Sequence, residues 1–352
     1  MITKEYNKDL SGLNTFRMKV SSRVYLEYDS VADLFDMDFE EMLQPVKHIG
    51  GGSNLLLTKD FKGTILHSKI DFIEEVRPGD GCGVKPLSAD GVLVSVGAGR
   101  KFDSLCEWAA GKGYWGIENL SGIPGEVGGA AAGNIGAYGQ EFGLVVREVY
   151  AYDVQEEDFV KFSREECKYA YRYSIFKEGG TEASKYIITH VLIELSRAAA
   201  PCLEYGHMAQ LLEGDYSLEH IRKTILATRG AKLPAVEEIG SAGSFFKNPV
   251  VEKDVYEKVA QSVQVPGQES VKVPHYDLEN GMVKIPAAWL IEQCGWKGRR
   301  SGNAAVWDKQ PLVLVNATGA ALPEEILSLE AKIRVSVRSR FGIELSPEVE
   351  HL

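Results

Sequence analysis

The feature that most constrains this chain is a strand that runs straight into three glycines. VKHI (46–49) opens into GGGSNLLL (50–57), which reads as strand, tight turn, strand. Gly50, Gly51 and Gly52, followed by Ser53, Asn54 and Leu55, offer bare backbone N–H groups that can approach an anion closely, and a diphosphate suits such a turn. Taken alone, the turn reads equally well as a plain glycine β-turn. VLVSVGAG (92–99) repeats the strand-to-glycine pattern with Gly97 and Gly99. GIENLSGIPGEVGGAAAGNIGAYGQE (116–141) is too rich in glycine and alanine to be one regular element, and reads as a wrapped loop with a short helix. Three glycine-lined surfaces before residue 142 suggest a large, flat ligand bearing phosphate, which a dinucleotide would match. No G-x-x-x-x-G-K-[ST] loop is present, and VGAGRKF (96–102) lacks the last small residue of G-x-G-x-x-G/A, so a Rossmann site is not expected.

Composition narrows the partners. Lys and Arg number 39 against 50 for Asp and Glu, a formal net charge of −11, which argues against a nucleic-acid-binding surface. With 44% apolar and 25% charged residues the chain is an ordinary globular one, and its 352 residues predict two domains, or three. No apolar run reaches the ~18 residues of a membrane span, and MITKEYNKDLSGLNTF has no apolar signal region, so a cytoplasmic protein without membrane insertion is expected. Cys82, Cys106, Cys167, Cys202 and Cys294 are far apart without a C-x-x-C pair, and the seven histidines show no H-x-x-H spacing. Neither a disulfide framework nor a metal site is predicted.

The remaining patterning predicts strands at 63–69, 92–99, 145–154, 186–196 and 311–316. In 186–196, Ile187, Thr189, Val191 and Ile193 are expected to share one face. Helices are predicted over 103–110, with Leu105, Trp108 and Ala109 inward and Gly111 and Gly113 as stops, and over 220–234, with Ile221, Ile225 and Thr228 inward and Gly230 and Pro234 as stops. PAAWLIEQCGWKG (286–298) starts a helix at Pro286 and ends at Gly295. The clearest helix is 323–342, where Ile326, Leu329, Ile333 and Val337 fall at helical spacing between Pro323 and Gly342. The pattern changes over 198–206, which marks the expected domain boundary. Trp108 and Trp289 sit at core spacing and are read as packing residues.

Several motifs recur together: NTF (14–16), IGGGSNLLL, LSGIPGEVGGA with NIGAYG, YRYSIFK (171–177), GSFFKNP (243–249), LIEQCGWKG (290–298) and SPEVE (346–350). In this order, and over nearly the whole chain, they resemble the UDP-N-acetylenolpyruvoylglucosamine reductase family, the flavoenzymes of early peptidoglycan synthesis. Tyr205 in LEYG resembles the form of the family that carries a tyrosine loop over the substrate. The resemblance implies an α+β fold: a vanillyl-alcohol-oxidase-type FAD-binding domain over 1–200, in two lobes of about 1–70 and 71–200, then a smaller α/β substrate-binding domain over 201–352. It implies FAD, NADPH as co-substrate and UDP-N-acetylglucosamine enolpyruvate as substrate; no histidine or cysteine lies within 50–54 or 116–141 to attach the flavin, so non-covalent FAD is expected, as is a monomer.

Carried over by motif, the catalytic residues implied are Arg172, Ser244 as proton donor and Glu348. Implied for the cofactor are Gly50, Gly51, Gly52, Ser53, Asn54, Leu55, Gly97, Gly99, Gly125, Gly128, Gly129, Asn134, Gly136 and Ala137. Implied for the substrate are Tyr138, Tyr205, Lys232, Lys247, Asn248, Lys297 and Gln310. Hydride addition to the methylene carbon of an enolpyruvyl ether leaves negative charge on the neighbouring carbon and its carboxylate. Arginine is well shaped to stabilise it, a neutral carboxylic acid can donate to it, and a hydroxyl can protonate so basic a carbon. Without the resemblance, Arg172 reads as an arginine lying on aromatic rings, Ser244 as a turn serine and Glu348 as a solvated carboxylate. An oxidase on the same FAD fold would keep the glycine surfaces without needing these three together. A non-catalytic nucleotide-sugar-binding protein would keep the lysines and lose the flavin. The sequence departs from the family at Glu350, where many members carry arginine.

Overall fold

The first sheet is built around the strand Phe61–Ser68, which is buried without a break from Gly63 onward. Ser21–Tyr28 and Val46–Ile49 both run parallel to Phe61–Ser68 and flank it, and Ile2–Asp9 lies outermost beside Ser21–Tyr28. The computed structural model to which these elements belong describes the chain except for residues 78–82, 178–184, 204–207, 265–270 and 279. Its contacts divide into two units. One comprises Met1–Lys8, Ser21–Gly52 and Asp60–Arg229, and the other Asp9–Val20, Ser53–Lys59 and Gly230–Leu352.

The first unit has two lobes. Val24, Leu26, Tyr28, Leu34, Leu66 and Ile70 form the core of the first sheet, and Tyr152 and Ile187 from the second lobe pack into the same cluster. The second lobe is a five-stranded antiparallel sheet in the order Asp158–Ser163, Val146–Asp153, Tyr186–Ser196, Gly91–Gly97, Ile73–Glu75. Helices Phe102–Lys112 and Val127–Gly133 cover it through Phe102, Leu105, Ala109, Val127 and Ala130.

Two expectations about periodicity need correction. In Tyr186–Ser196 the pairing with Val146–Asp153 slips between Tyr150–His190 and Ala151–Ile188, a β-bulge at Thr189. The extra residue flips the phase. Ile188, Val191, Ile193 and Leu195 therefore share one core, whereas Ile187 faces the other. Gly111 and Gly230 lie inside the helices Phe102–Lys112 and Leu218–Lys232 rather than ending them. A glycine inside a helix costs about 1 kcal/mol relative to alanine, which the burial of Leu105 and Ala109, or of Ile221 and Ile225, outweighs. The first helix ends at Gly113, with φ +76°.

In the second unit Gly240–Ser244, Val313–Asn316, Ala304–Val306 and Arg300–Ser301 form an antiparallel sheet in that order. Pro323–Phe341 buries Ile326, Leu329, Ile333 and Val337, and Gly342 ends it at φ +69°, as its spacing predicts. A three-stranded sheet, Val250–Glu252, Met282–Lys284, Tyr276–Asp277, adjoins helix Lys253–Ser262. The NTF motif is a pin. Asn14 bonds Leu10 and Met18 across its own loop, the carbonyl of Thr15 accepts from Ser241 N–H at 2.9 Å, and that of Phe16 accepts from Asn316 Nδ2 at 3.2 Å. Among the described residues, no helix is long and apolar enough to cross a membrane.

Candidate active site

The three glycine segments of the first half meet backbone to backbone. A Cβ on Gly51 would lie 3.3 Å from Gly125 Cα, and one on Gly128 would lie 2.9 Å from Ala98 Cβ. Cβ atoms on Gly97 and Gly99 would fall 2.3 Å from the Ile70 carbonyl and 2.5 Å from the Ser68 carbonyl. Real Cβ atoms do not come closer than 3.0 Å, so only glycine permits the packing at Gly97, Gly99 and Gly128, while a Cβ on Gly51 would require Gly125 to give by a few tenths of an ångström. A Cβ on Gly129 would meet nothing within 4 Å, so this face of the short helix Val127–Gly133 is open. Gly52 turns the chain at φ +60°. The result is a surface on which these glycines present bare peptide groups, with the Glu126 carboxylate behind Gly50 and Gly51. The donor set is that of backbone amides, which suits a diphosphate.

Ser53, Asn54 and Leu55 belong to the second unit. There Asn54 Nδ2 donates to the Glu348 carbonyl at 3.1 Å, and the Asn54 carbonyl accepts from Glu350 N–H at 3.0 Å. Leu55–Leu56 then pairs in parallel with Glu350–His351, which buries Leu55. The GGGSN motif thus continues into a clamp on the SPEVE segment.

Arg172 sits at the third position of the turn Ala170–Tyr173, whose end residues bond each other reciprocally. Its φ is +56°, a left-handed conformation that costs a non-glycine residue on the order of 1–2 kcal/mol. Two bonds hold this turn. Buried Asn134, itself at φ +42°, donates to the Ala170 carbonyl at 2.8 Å, and buried Ser174 Oγ donates to the Ala132 carbonyl at 2.6 Å. Asn134 also donates to Glu141 Oε2 and accepts from Gly143 N–H, both at 2.9 Å. The guanidinium lies over the Tyr171 ring at 5.6 Å, and its Nη1 would be 3.2 Å from a Cβ on Gly136. Gly136–Ala137 and Gln140–Glu141 form a hairpin with Tyr138 and Gly139 at its tip, both at positive φ (+47° and +84°). Buried Asn119 supports the tip by donating to the Tyr138 carbonyl at 2.8 Å.

Ser244 ends the strand Gly240–Ser244. The register slips between Ser241–Val315 and Ser244–Val313, with Gly243 at φ +68° inside the slip. Such a bulge re-aims the side chain that follows it. Phe245 and Phe246, both fully buried, then anchor the chain. Segment 346–348 runs beside them: Lys247 N–H donates to the Ser346 carbonyl at 3.0 Å, Phe246 pairs with Pro347, and Glu348 N–H donates to the Phe245 carbonyl at 2.8 Å. Half-buried Glu348 is thereby held beside the strand end that carries Ser244.

The implied substrate residues divide. Lys247, Asn248 and Ser346 line one cleft of about 490 Å³ in the second unit. Asn248 also has a local task, because its Oδ1 accepts from Ala287 N–H at 2.9 Å and so starts the helix Ala287–Gln293. Lys297 is exposed and paired with Glu292 at 2.7 Å. Exposed Lys232 accepts at its carbonyl from Trp307 Nε1 at 3.0 Å, and Gln310 shapes its own turn toward Val313. Tyr205 and Cys82 lie outside the described residues.

Sequence reasoning missed Arg229. On helix Leu218–Lys232, its Nε donates to the Gly122 carbonyl at 3.2 Å. Burial lowers its pKa, while Tyr138 and Asp103 oppose that and Arg172 reinforces it, so a second cation faces the Tyr138–Arg172 region. Arg222 of the same helix grips Asp103 with two bonds, 2.6 and 2.9 Å, and Asp103 also accepts from Gly122 N–H at 2.6 Å. The only signal available was basic residues at helical spacing, which most helices share.

A family model described as an FAD binding domain matches residues 38–157, and one described as the C-terminal domain of UDP-N-acetylenolpyruvoylglucosamine reductase matches residues 234–352. The UDP-N-acetylenolpyruvoylglucosamine reductase of Bacteroides fragilis strain YCH46 is 41% identical over 351 residues, covering 99% of this chain and 100% of that protein. That of Porphyromonas gingivalis strain ATCC 33277 is 39% identical over 348 residues, 97% of each. A crystal structure of the Thermus caldophilus reductase is similar across 100% of this chain and 98% of its own, with a TM-score of 0.63 at 22% identity, which shows the expected fold.

Proposed function

The chain belongs to the UDP-N-acetylenolpyruvoylglucosamine reductase family and binds FAD, and from that premise we propose that it reduces UDP-N-acetylglucosamine enolpyruvate to UDP-N-acetylmuramate with NADPH, for peptidoglycan synthesis. In this reading residues 1–200 hold the cofactor and 201–352 hold most of the substrate. FAD, when bound, supplies the relay of a hydride from the nicotinamide to the enolpyruvyl methylene carbon.

The chain's own residues do the rest. The peptide cradle of Gly50–Gly52, Gly125 and Gly128 holds the diphosphate through N–H groups. The cofactor is held without a covalent bond, a reading supported by His48, whose Nε2 is engaged by Tyr28 Oη at 2.8 Å. Arg172 pairs with the substrate carboxylate and stabilises the charge that accumulates there. Its conformational cost supports this role, because the turn would be easier to build with glycine or asparagine. Ser244 Oγ gives its proton to the ether-bearing carbon, and Glu348, held at the same strand end, orients the developing enolate beside it. Lys247 and Asn248, in one cleft, and Lys232, Lys297 and Gln310 contact the UDP moiety, with Tyr138 near the sugar.

The observation that carries the reading is the Phe245–Glu348 backbone bond, which brings two motif residues far apart in sequence to one strand end. The test is anaerobic. The yellow protein should bleach with NADPH and recover its colour on addition of the enolpyruvyl substrate, and acid should release free FAD. Bleaching without recovery would exclude the reductase reading, and flavin retained on precipitated protein would exclude non-covalent binding.

A further inference from the structure

His67, next to last in the strand Phe61–Ser68, is 2% exposed and lies between two carboxylates. Its Nε2 is 3.0 and 3.3 Å from the two oxygens of Glu126, and its Nδ1 is 2.8 Å from Tyr25 Oη and 3.3 Å from Glu27 Oε1. Tyr25 Oη donates to Glu27 Oε1 at 2.8 Å, and Lys69 Nζ stands 3.3 Å from the same oxygen. None of these groups has a part in the chemistry proposed above. Glu126, however, lies directly under the glycine turn: its Oε2 would be 3.3 Å from a Cβ on Gly50, and its Oε1 3.7 Å from one on Gly51.

Both ring nitrogens face hydrogen-bond acceptors, the arrangement that an imidazolium satisfies. Nε2 faces carboxylate oxygens, which only accept, so it carries a hydrogen. The single Tyr25 hydrogen is directed to Glu27, the better acceptor, so Nδ1 also carries one. A carboxylate that close to the turn would otherwise repel any anion held there.

We propose that His67 is a positioning residue for the diphosphate of FAD: its imidazolium neutralises and holds back Glu126, so that the N–H groups of Gly50–Gly52 face the anion without a bare carboxylate behind them. This rests on the reading that the glycine turn carries the diphosphate. Loss of His67 then weakens FAD through the charge left on Glu126, and removing that charge restores binding.

The test is FAD titration of the apoprotein, followed by quenching of flavin fluorescence. His67→Gln is expected to raise the FAD Kd at least tenfold, with a gap to the parent that narrows as KCl is raised. Glu126→Gln alone should stay within threefold of the parent or bind more tightly, and the double variant His67→Gln/Glu126→Gln should return to within threefold. A purely structural role for His67 would leave the double variant as weak as His67→Gln, and that result, or a parental Kd for His67→Gln, overturns the proposal. If His67→Gln does not fold, Glu126→Gln decides: a tenfold loss of FAD affinity there would mean that the carboxylate itself is required, and would overturn it. Gly51→Val tests the underlying reading separately, because parental FAD binding in that variant would place the diphosphate elsewhere whatever the His67 variants do.

Discussion

Glu348 donates its backbone N–H to the carbonyl of Phe245, the residue after Ser244, at 2.8 Å. That bond fixes the relative position of the two groups assigned to the proton and to the enolate. It is one of a row: Lys247 bonds Ser346 on one side, and Asn54 grips the Glu348 carbonyl on the other. The row is built from backbone atoms, so it survives side-chain replacement, and variants at Ser244 or Glu348 should keep their surroundings.

Replacing Arg172 with glycine should separate activity from stability. At φ +56° glycine is the easier residue, so the variant is expected to be as stable as the parent, or more stable by about 1 kcal/mol, while kcat/KM falls at least a hundredfold. Urea unfolding beside steady-state kinetics checks both halves. A variant that loses stability along with activity would mean that the arginine holds the turn together.

Asn134 binds no reacting group in this reading, yet it ties the NIGAYG loop to the turn that carries Arg172. Asn134→Gly keeps the left-handed backbone and removes three hydrogen bonds. A loss of about 1–3 kcal/mol in unfolding free energy is expected, with kcat falling more than FAD affinity. Unchanged kcat in a folded variant would show that the tie does not position Arg172.

Asp103 gives a dependence on pH. Burial raises its pKa, but hydrogen bonds from Arg222 and Gly122 outweigh that and leave it below the ordinary carboxylate value. With the folded pKa depressed, its contribution is present above the unfolded value of about 3.9 and disappears as pH falls through the folded one. Asp103→Asn should therefore be less stable than the parent at pH 7, and the difference should shrink below pH 4. Urea midpoints across pH 3 to 7 measure this, and a difference that stays constant would contradict the assignment.

What the sequence made legible follows the range of the interactions. Helix Pro323–Phe341 and the glycine turn were readable because periodicity and φ preference act within a few residues. The bulge at Thr189 was not, since it depends on how Tyr150 and Ala151 meet a strand some forty residues away. The tasks of Asn134, Asp103 and Arg229 arise from partners that no local pattern names. His67 is the sharpest case: a lone histidine in a strand gave no reason to expect Glu27 and Glu126 on either side. Arg172 and Ser244 were named through their motifs, whereas their positive-φ supports, at Arg172 itself and at Gly243, are visible only in the backbone.

The central assignment is that Ser244 delivers the proton and takes no part in accepting hydride from NADPH. Stopped-flow absorbance of Ser244→Ala, with each half-reaction followed separately, tests it most directly. Flavin bleaching by NADPH should proceed at close to the parental rate, while reoxidation by the enolpyruvyl substrate should slow by about 10²–10⁴-fold, with partial recovery in Ser244→Cys. Reoxidation of Ser244→Ala at the parental rate would contradict the assignment and leave Ser244 as a turn residue at the bulge beside Phe245.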